Sequence, residues 1–249
     1  MTARVLIGRG CGLGLFALAM MLALVEPVSA QELSIDFGDG TSLATRSIQL
    51  LLLITILSIV PGLAVMLTCF PFIVTVLSIL RQAIGLQQSP PNMLIISLAL
   101  FLTWFVMDPV LTEAWIKGVE PLSNGTIDIQ TAIPLILQPF RVFMTARLDP
   151  DTFAALQALR PEPTTALADA PLSTLVPSFI LSEIQRAFEI GFLVFLPFLI
   201  IDLVVAAVLM SMGMMMVPPA VVALPFKLAF FVVADGWTLI SEALVRSYF

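Results

Sequence analysis

The chain has 249 residues, of which 59% are hydrophobic and only 11% are charged, a composition typical of membrane proteins rather than soluble ones. Its net charge of −6, with only 11 Lys and Arg, argues against a nucleic-acid partner, since phosphate binding needs a basic surface. The sequence contains no histidine, so it lacks the usual general base and the commonest metal ligand.

Residues 1–30 have the pattern of a cleavable signal peptide. Arg4 and Arg9 give the chain a positively charged start, and the apolar stretch that follows, Leu13–Val25, is too short to span a bilayer. Small residues then lead to a predicted cleavage site after Ala30. An uncleaved anchor is the alternative. After cleavage, residues 31–46 are expected to form an extracytoplasmic N-terminal segment.

Residues 47–107 are predicted to form a first hydrophobic helical hairpin. No residue of Ser47–Leu80 is charged, and as one helix this stretch would extend about 50 Å, against about 30 Å of hydrocarbon in a bilayer. We expect Pro61 and Pro71 to kink this helix or to break it in two. Met93–Met107 is short for a span, at about 22 Å of helix. The turn between the arms combines helix breakers with a polar amide: Pro90, Pro91 and Asn92.

Residues 108–186 hold half of the charged residues and many prolines, which predicts a water-exposed, extracytoplasmic domain of short helices. The patterns of Gln138–Leu148 and Asp151–Leu159 indicate two of these helices. Phe140 and Phe143 are apolar anchors in the first of these two helices. We expect these rings to pack in an ordinary small core, with an exposed contact surface as the alternative.

Residues 187–249 are predicted to form a second hydrophobic hairpin, with arms at Ile190–Met210 and Ala220–Ile240. The turn between them contains residues that end or bend helices: Gly213, Pro218 and Pro219. Methionine is crowded into the same turn, at Met212, Met214, Met215 and Met216. Long, polarizable thioethers make a deformable apolar surface, which suits the closure of a gated passage.

Asp202 interrupts the first arm of this hairpin and Lys227 the second. A charge inside a span costs at least a few kcal/mol and normally faces protein or water. In a symmetric hairpin both residues lie about 19 Å from the turn, so a direct ion pair is geometrically possible. Equal depth does not fix the direction in which each side chain points, and separate partners on neighbouring subunits are an equal alternative.

These irregular segments favour burial against other protein chains. One segment is too long for a span, one is too short and two contain charges. If the signal leads the mature N-terminus out, counting spans places the Arg81 turn and the Met-rich turn on the cytoplasmic side, and residues 108–186 outside.

The sequence contains no readable catalytic motif. Loss of Cys11 with the signal peptide leaves Cys69 alone in an apolar run, with no base to activate it and no partner for an internal disulfide. No Gly-rich loop precedes a Lys-Ser/Thr pair. Asp149 and Asp151 flank a proline and are expected to start and cap a helix. We therefore predict no enzyme, no cofactor and no metal site.

Four long, ordered strings carry a family resemblance that extends over essentially the whole mature chain. They are LRQAIGLQQSPPN with LALFLTWFVMDPV in Leu80–Val110, QPFRVFM in Gln138–Met144, FILSEIQRAFEIGFLVFLPFLIIDLVVAAVLMSMGMMMVPP in Phe179–Pro219, and ALPFKLAFFVVADGW in Ala223–Trp237. These strings closely resemble the FliP family, the P subunit of the flagellar type III export gate.

The resemblance implies an all-α fold, with membrane-associated helical hairpins and a periplasmic helical domain, that assembles into a right-handed helical channel. It implies a bacterial inner-membrane location in the flagellar basal body and passage of unfolded flagellar substrates. Its implied partners are further copies of the chain in a pentameric arrangement, the Q and R subunits, the B subunit, a large gate subunit with a cytoplasmic domain, and membrane lipid. The methionine triplet of the family lines the narrowest point as a gasket, which assigns that role to Met214, Met215 and Met216, beside Met212.

One segment departs from the family pattern. Where the family usually shows Thr-Ser-Phe-Thr-Arg-Ile, this chain has Thr-Cys-Phe-Pro-Phe-Ile at residues 68–73. Phe72 replaces the usual arginine, so any salt bridge of that arginine is not carried over.

Two other functions remain open from the sequence. The chain would be a small-solute transporter if Asp202 and Lys227 served as intramembrane coupling groups. It would be a scaffold if it only nucleated the assembly of a ring. Crosslinks from Met215 to a stalled substrate would distinguish a conduit from a scaffold.

Overall fold

The computed structural model describes residues 43–86, 90–160 and 166–249. The predicted signal peptide, its cleavage site at Ala30 and residues 31–42 lie outside the described residues. The chain divides between Ile54 and Thr55, within the first helix, and residues 55–249 form one compact unit. Of the other unit, the structure describes residues 43–54, which are helical.

Every regular element among the described residues is helical, which confirms the all-α fold class. Nine α-helices are described: α1 Leu43–Met66, α2 Phe70–Ile84, α3 Asn92–Ala114, α4 Glu120–Ser123, α5 Ile129–Arg147, α6 Pro150–Ala158, α7 Leu172–Ser211, α8 Pro219–Val233 and α9 Gly236–Arg246. A π-helical turn, Trp115–Val119, joins α3 to α4, and a short 3-10 turn, Leu167–Asp169, precedes α7.

Among the described residues, three helical stretches are long and apolar enough to cross a membrane: Ser47–Met66, Asn92–Ser123 and Leu172–Ser211. Together α8 and α9 form a fourth candidate, bent by 61° at the break between them. With 40 residues, α7 is about 60 Å long, roughly twice the hydrocarbon thickness of a bilayer.

The long uncharged run breaks between α1 and α2, after Met66. Pro61 stays inside α1, whereas Pro71 lies in the first turn of α2, where its missing N–H costs no hydrogen bond. At the break, the Thr68 hydroxyl donates to the Val65 carbonyl at 2.6 Å. The second piece is a core helix, with Phe72, Leu77 and Leu80 fully buried, and it packs mainly on α7 and α3.

Two helices run through the predicted domain boundaries. The α3 helix continues past residue 107 to Ala114, so the prediction that Met93–Met107 is a short segment is wrong. Similarly, α7 begins at Leu172, well before residue 187. Asp108 lies on the exposed side of α3, where a charged side chain does not interrupt the backbone hydrogen bonds of the helix.

The second arm of the later hairpin is not one helix from Ala220 to Ile240, as the sequence predicted. It breaks where Asp235 adopts a left-handed conformation, with φ of 47°. The next residue, Gly236, lies against the Phe231 ring so closely that an added Cβ would meet a ring atom at 2.2 Å. This tight approach leaves no room for a side chain at the first residue of α9.

Two apolar clusters hold the compact unit together. The larger one is built around α2 with residues of α3, α7, α8 and α9. The smaller one lies between α5, α6 and the start of α7, with Met144, Phe153 and Phe179 at its centre. The Asp149 carboxylate caps α6 by accepting a hydrogen bond from the Thr152 N–H at 2.8 Å, the capping role that the sequence predicted.

Candidate functional site

Residues 212–218, here the Met loop, join α7 to α8. Gly213 takes a left-handed conformation with φ of 75° at the end of α7. Its N–H bonds the Met210 carbonyl at 3.0 Å, and the Met214 N–H bonds the Leu209 carbonyl at 2.9 Å. These two bonds form a Schellman cap. Pro219 then starts α8.

The methionines of this loop are exposed in the chain as described. The exposed fraction is 66% for Met212, 40% for Met214, 84% for Met215 and 98% for Met216. The described part of the chain does not cover these apolar side chains, which leaves them open to contact with lipid or with other protein surfaces. The geometry therefore presents a flexible thioether surface at the tip of a hairpin.

Replacing Gly213 with alanine is expected to destabilise the Met loop by about 1–2 kcal/mol, because a left-handed conformation places Cβ against the backbone. Apart from its chain neighbours, no atom of the described residues lies within 4 Å of an added Cβ at Gly213, so the loss would come from backbone strain. The loss is measured by thermal unfolding of the detergent-extracted protein.

Gly62→Ala is the matched control, because an added Cβ at Gly62 likewise meets no described atom within 4 Å outside the adjacent backbone, but Gly62 lies in α1 without a left-handed conformation. This change should stabilise by about 0.5–1 kcal/mol. Equal shifts in the two variants would contradict the strain at Gly213.

The structure brings Asp202 and Lys227 together. The Lys227 Nζ lies 2.6 Å from Asp202 Oδ2 and also donates to the Ala83 carbonyl at 3.1 Å. The Lys227 side chain is 8% exposed and that of Asp202 is 35% exposed. One ammonium group therefore ties both arms of the hairpin to the C-terminal turn of α2.

The two arms are packed differently on the two sides of this ion pair. On the side away from the Met loop, the Phe198 ring contacts Phe230 and Phe231, with centroid distances of 5.9 and 6.3 Å. Towards the loop, an open apolar cleft of about 530 Å³ runs along α7 and borders α8. We call it the tip cleft; Ile200, Val204, Val205 and Val208 of α7 and Val222 and Phe226 of α8 line it.

The turn of the first hairpin, at residues 90–92, is held in place by hydrogen bonds from α2. The Arg81 guanidinium donates to the Asn92 side-chain oxygen and, at 3.4 Å, to the Pro90 carbonyl. Pro91 precedes the first residue of α3 and adopts an extended conformation. Gly85 ends α2 with φ of 87°. The predicted turn residues thus lie together beside the end of α2.

Phe140 and Phe143 are half-buried and face the core. Phe140 packs on the larger cluster, and Phe143 touches both clusters. The Phe143 ring lies edge-on to Phe179 at 5.8 Å and stacks on Tyr248 at 5.9 Å. These contacts attach α5 to α7 and to the C-terminus.

Sequence reasoning missed a buried polar cluster around Glu183. This carboxylate has no exposed surface, and it accepts from the Arg147 Nε at 3.1 Å and from the Tyr248 hydroxyl. The Arg147 guanidinium also donates to the Ser247 carbonyl at 2.8 Å. The sequence did offer a sign of this cluster, since Tyr248 is the only tyrosine of the chain and charged residues such as Arg147 and Glu183 are few.

The aromatic rings around Arg147 complete this cluster. Its guanidinium carbon lies 4.0 Å from the Tyr248 ring centroid and 5.8 Å from that of Phe72. Phe72, which departs from the family pattern, therefore lies beside the Arg147 guanidinium. Burial, followed by the Glu183 carboxylate, raises the pKa of Tyr248 far above its usual range, so the phenol remains a donor at physiological pH.

Comparisons with known proteins agree on one family. The FliP family model matches residues 53–244. The flagellar biosynthetic protein FliP of Caulobacter vibrioides is 48% identical over 94% of this chain and 88% of its own length. The corresponding protein of Agrobacterium fabrum is 44% identical over 94% of this chain and 98% of its own, and that of Bacillus subtilis is 44% identical over 82% and 93%.

Proposed function

The chain belongs to the FliP family, and from this membership we propose that it is a channel-forming wall subunit of the flagellar type III protein export gate. In this role it passes unfolded flagellar substrates across the inner membrane. The proposed role is structural and needs no catalytic group.

The exposed Met loop is the observation that carries this proposal. An unfolded chain presents varied side chains to a pore, so the closure has to yield to each of them and still block ions. Unbranched thioethers deform readily, and an apolar constriction excludes ions at rest by dewetting. We propose that Met212, Met214, Met215 and Met216 form this gasket together with the same residues of neighbouring copies.

Exposed aromatic and aliphatic faces support assembly with other subunits. Large exposed side chains follow one side of α3 and one side of α7: Phe101, Trp104, Phe105, Phe188, Phe192 and Leu203. A row of large exposed apolar side chains along a helix normally marks contact with protein or lipid. We propose that they meet further copies of the chain in a pentameric arrangement, the Q and R subunits, and membrane lipid.

The remaining partners and the location follow from the same role. The B subunit and the large gate subunit with a cytoplasmic domain act beside the channel. The chain resides in the inner membrane, within the flagellar basal body, and its helices between residues 108 and 186 form a periplasmic domain. Under this arrangement the Met loop faces the cytoplasmic side.

Replacing Met214, Met215 and Met216 with alanine is the test. We expect the resting ion conductance of the assembled gate to rise while flagellar proteins are still secreted, because the wider, smaller-residue opening no longer dewets. Conductance is measured across cells or liposomes that contain the gate. Unchanged conductance would remove the gasket role.

The matched control is the double variant Met66→Ala, Met93→Ala, which removes two exposed thioethers away from the loop, in α1 and α3. Its conductance should equal that of the parent. A rise in this control as well would assign the leak to general loss of methionine surface.

A further inference from the structure

We propose that Pro197 and Pro225 make the tip of the α7–α8 hairpin a hinged unit that pivots at the Asp202–Lys227 pair, so that the Met loop opens by movement of the whole tip. This inference rests on the proposed function of the loop as a closure. Asp202 and Lys227 are then positioning residues that set where the closure sits.

The first support is the position of the two prolines. Pro197 lies inside α7 shortly before Asp202, and Pro225 lies inside α8 shortly before Lys227. A proline inside a helix cannot donate the backbone hydrogen bond to the residue four positions earlier, and its ring crowds that carbonyl. Both arms therefore carry a weak point of the helix next to the ion pair, on the side away from the Met loop in α7 and on the loop side in α8.

The second support is that the pivot is anchored to the core. Lys227 reaches both Asp202 and the Ala83 carbonyl at the end of α2. The residues around Ala83 in α2 belong to the buried core of the unit. The stem of the hairpin is further held by the rings of Phe198 and Phe230. The arms are thus held to each other and to α2 at the pair and at these rings.

The third support is the tip cleft. About 530 Å³ of open apolar space lies along α7 and borders α8, and its lining is only partly covered, with Val204 57% and Phe226 59% exposed. The lining is apolar, so no hydrogen bond within the cleft has to break when the arms approach each other. The cleft supplies the room that the hinge needs, on the side of the pair that carries the Met loop.

The test is the double variant Pro197→Ala, Pro225→Ala in the assembled gate. Alanine restores both backbone hydrogen bonds and favours the helix, so the variant should assemble in parental amounts while the secretion of flagellar proteins falls. Resting conductance should not change, because the Met loop keeps its residues. Pro177→Ala is the control, since Pro177 lies in the same helix far from the hairpin tip, and it should secrete normally.

Parental secretion by the assembled double variant would overturn the hinge. A rise in conductance on replacing Met214–Met216 would then show that the gasket stands without it, whereas unchanged conductance in that variant would remove the gasket itself. The two failures are therefore distinguishable.

A second measurement avoids any dependence on assembly of the proline variant. Val205→Cys and Val222→Cys, made in a parent with Cys11→Ala and Cys69→Ala, place one thiol on each wall of the tip cleft. Bridging them in the assembled gate with a short, thiol-cleavable bismaleimide should stop secretion, and cleavage should restore it. Either single cysteine treated alike should secrete normally. Normal secretion by the bridged gate would overturn the proposal.

Discussion

Replacing Arg147 with methionine is expected to destabilise the protein by about 3–5 kcal/mol, because the change leaves a buried carboxylate without its cation. Glu183 has no exposed surface, and its ion pair with Arg147 has a separation of 3.1 Å. Methionine retains much of the apolar length of the side chain, so the loss reports the charge. The measurement is thermal unfolding of the detergent-extracted protein.

Arg246→Met is the matched control for this variant. Arg246 pairs with Glu242 on the surface of α9, where the two side chains are 77% and 59% exposed. Such a pair contributes only about 0.3–0.5 kcal/mol. A loss in Arg147→Met no larger than in this control would contradict the importance of the buried pair.

Tyr248→Phe separates the hydrogen bond from the ring. It keeps the ring beneath Arg147 and removes the bond to Glu183, so we expect a smaller loss of about 1.5–3 kcal/mol. The double variant Arg147→Met, Glu183→Gln should be more stable than Arg147→Met alone, because it leaves no charge unpaired.

Replacing Lys227 with methionine is expected to cost about 3 kcal/mol and to impair secretion, since Asp202 would lose its cation inside an apolar hairpin. The Ala83 carbonyl would lose its donor at the same time. The unfolding temperature of the extracted gate and the amount of secreted flagellar protein are the readouts.

Lys117→Met is the control for Lys227→Met, because Lys117 forms an exposed ion pair with Glu113, with side chains 47% and 45% exposed. Its stability and secretion should stay close to those of the parent. Equal effects of the two lysine variants would contradict the anchoring role of Lys227.

Neutral substitution is a cleaner test of this pair than exchange of its charges. Asp202→Asn with Lys227→Met leaves no unpaired charge and should recover much of the stability that Lys227→Met loses. Exchange of the two residues would point a carboxylate at the Ala83 carbonyl, so it should not recover stability. Recovery by the exchange and not by the neutral pair would contradict this geometry.

Some features followed from the sequence because they depend on neighbouring residues. The all-α class follows from apolar helical segments, and the Met loop from a glycine and two prolines that interrupt them. Asp149 caps α6 through a hydroxyl and an N–H three residues away. Hydrophobic patterning could not set the ends of α3 and α7, because a charged residue does not end a helix when it is exposed, as Asp108 is in α3, or buried in an ion pair, as Glu183 is in α7.

Only the tertiary structure decided which distant residues meet. The sequence placed Asp202 and Lys227 at equal depth, but the rotation of each helix about its axis determines whether their side chains face each other. Lys227 and Ala83 are 144 residues apart, and Arg147 and Ser247 are 100 apart. Contacts at such separations depend on how whole helices pack, which no local pattern of residues encodes.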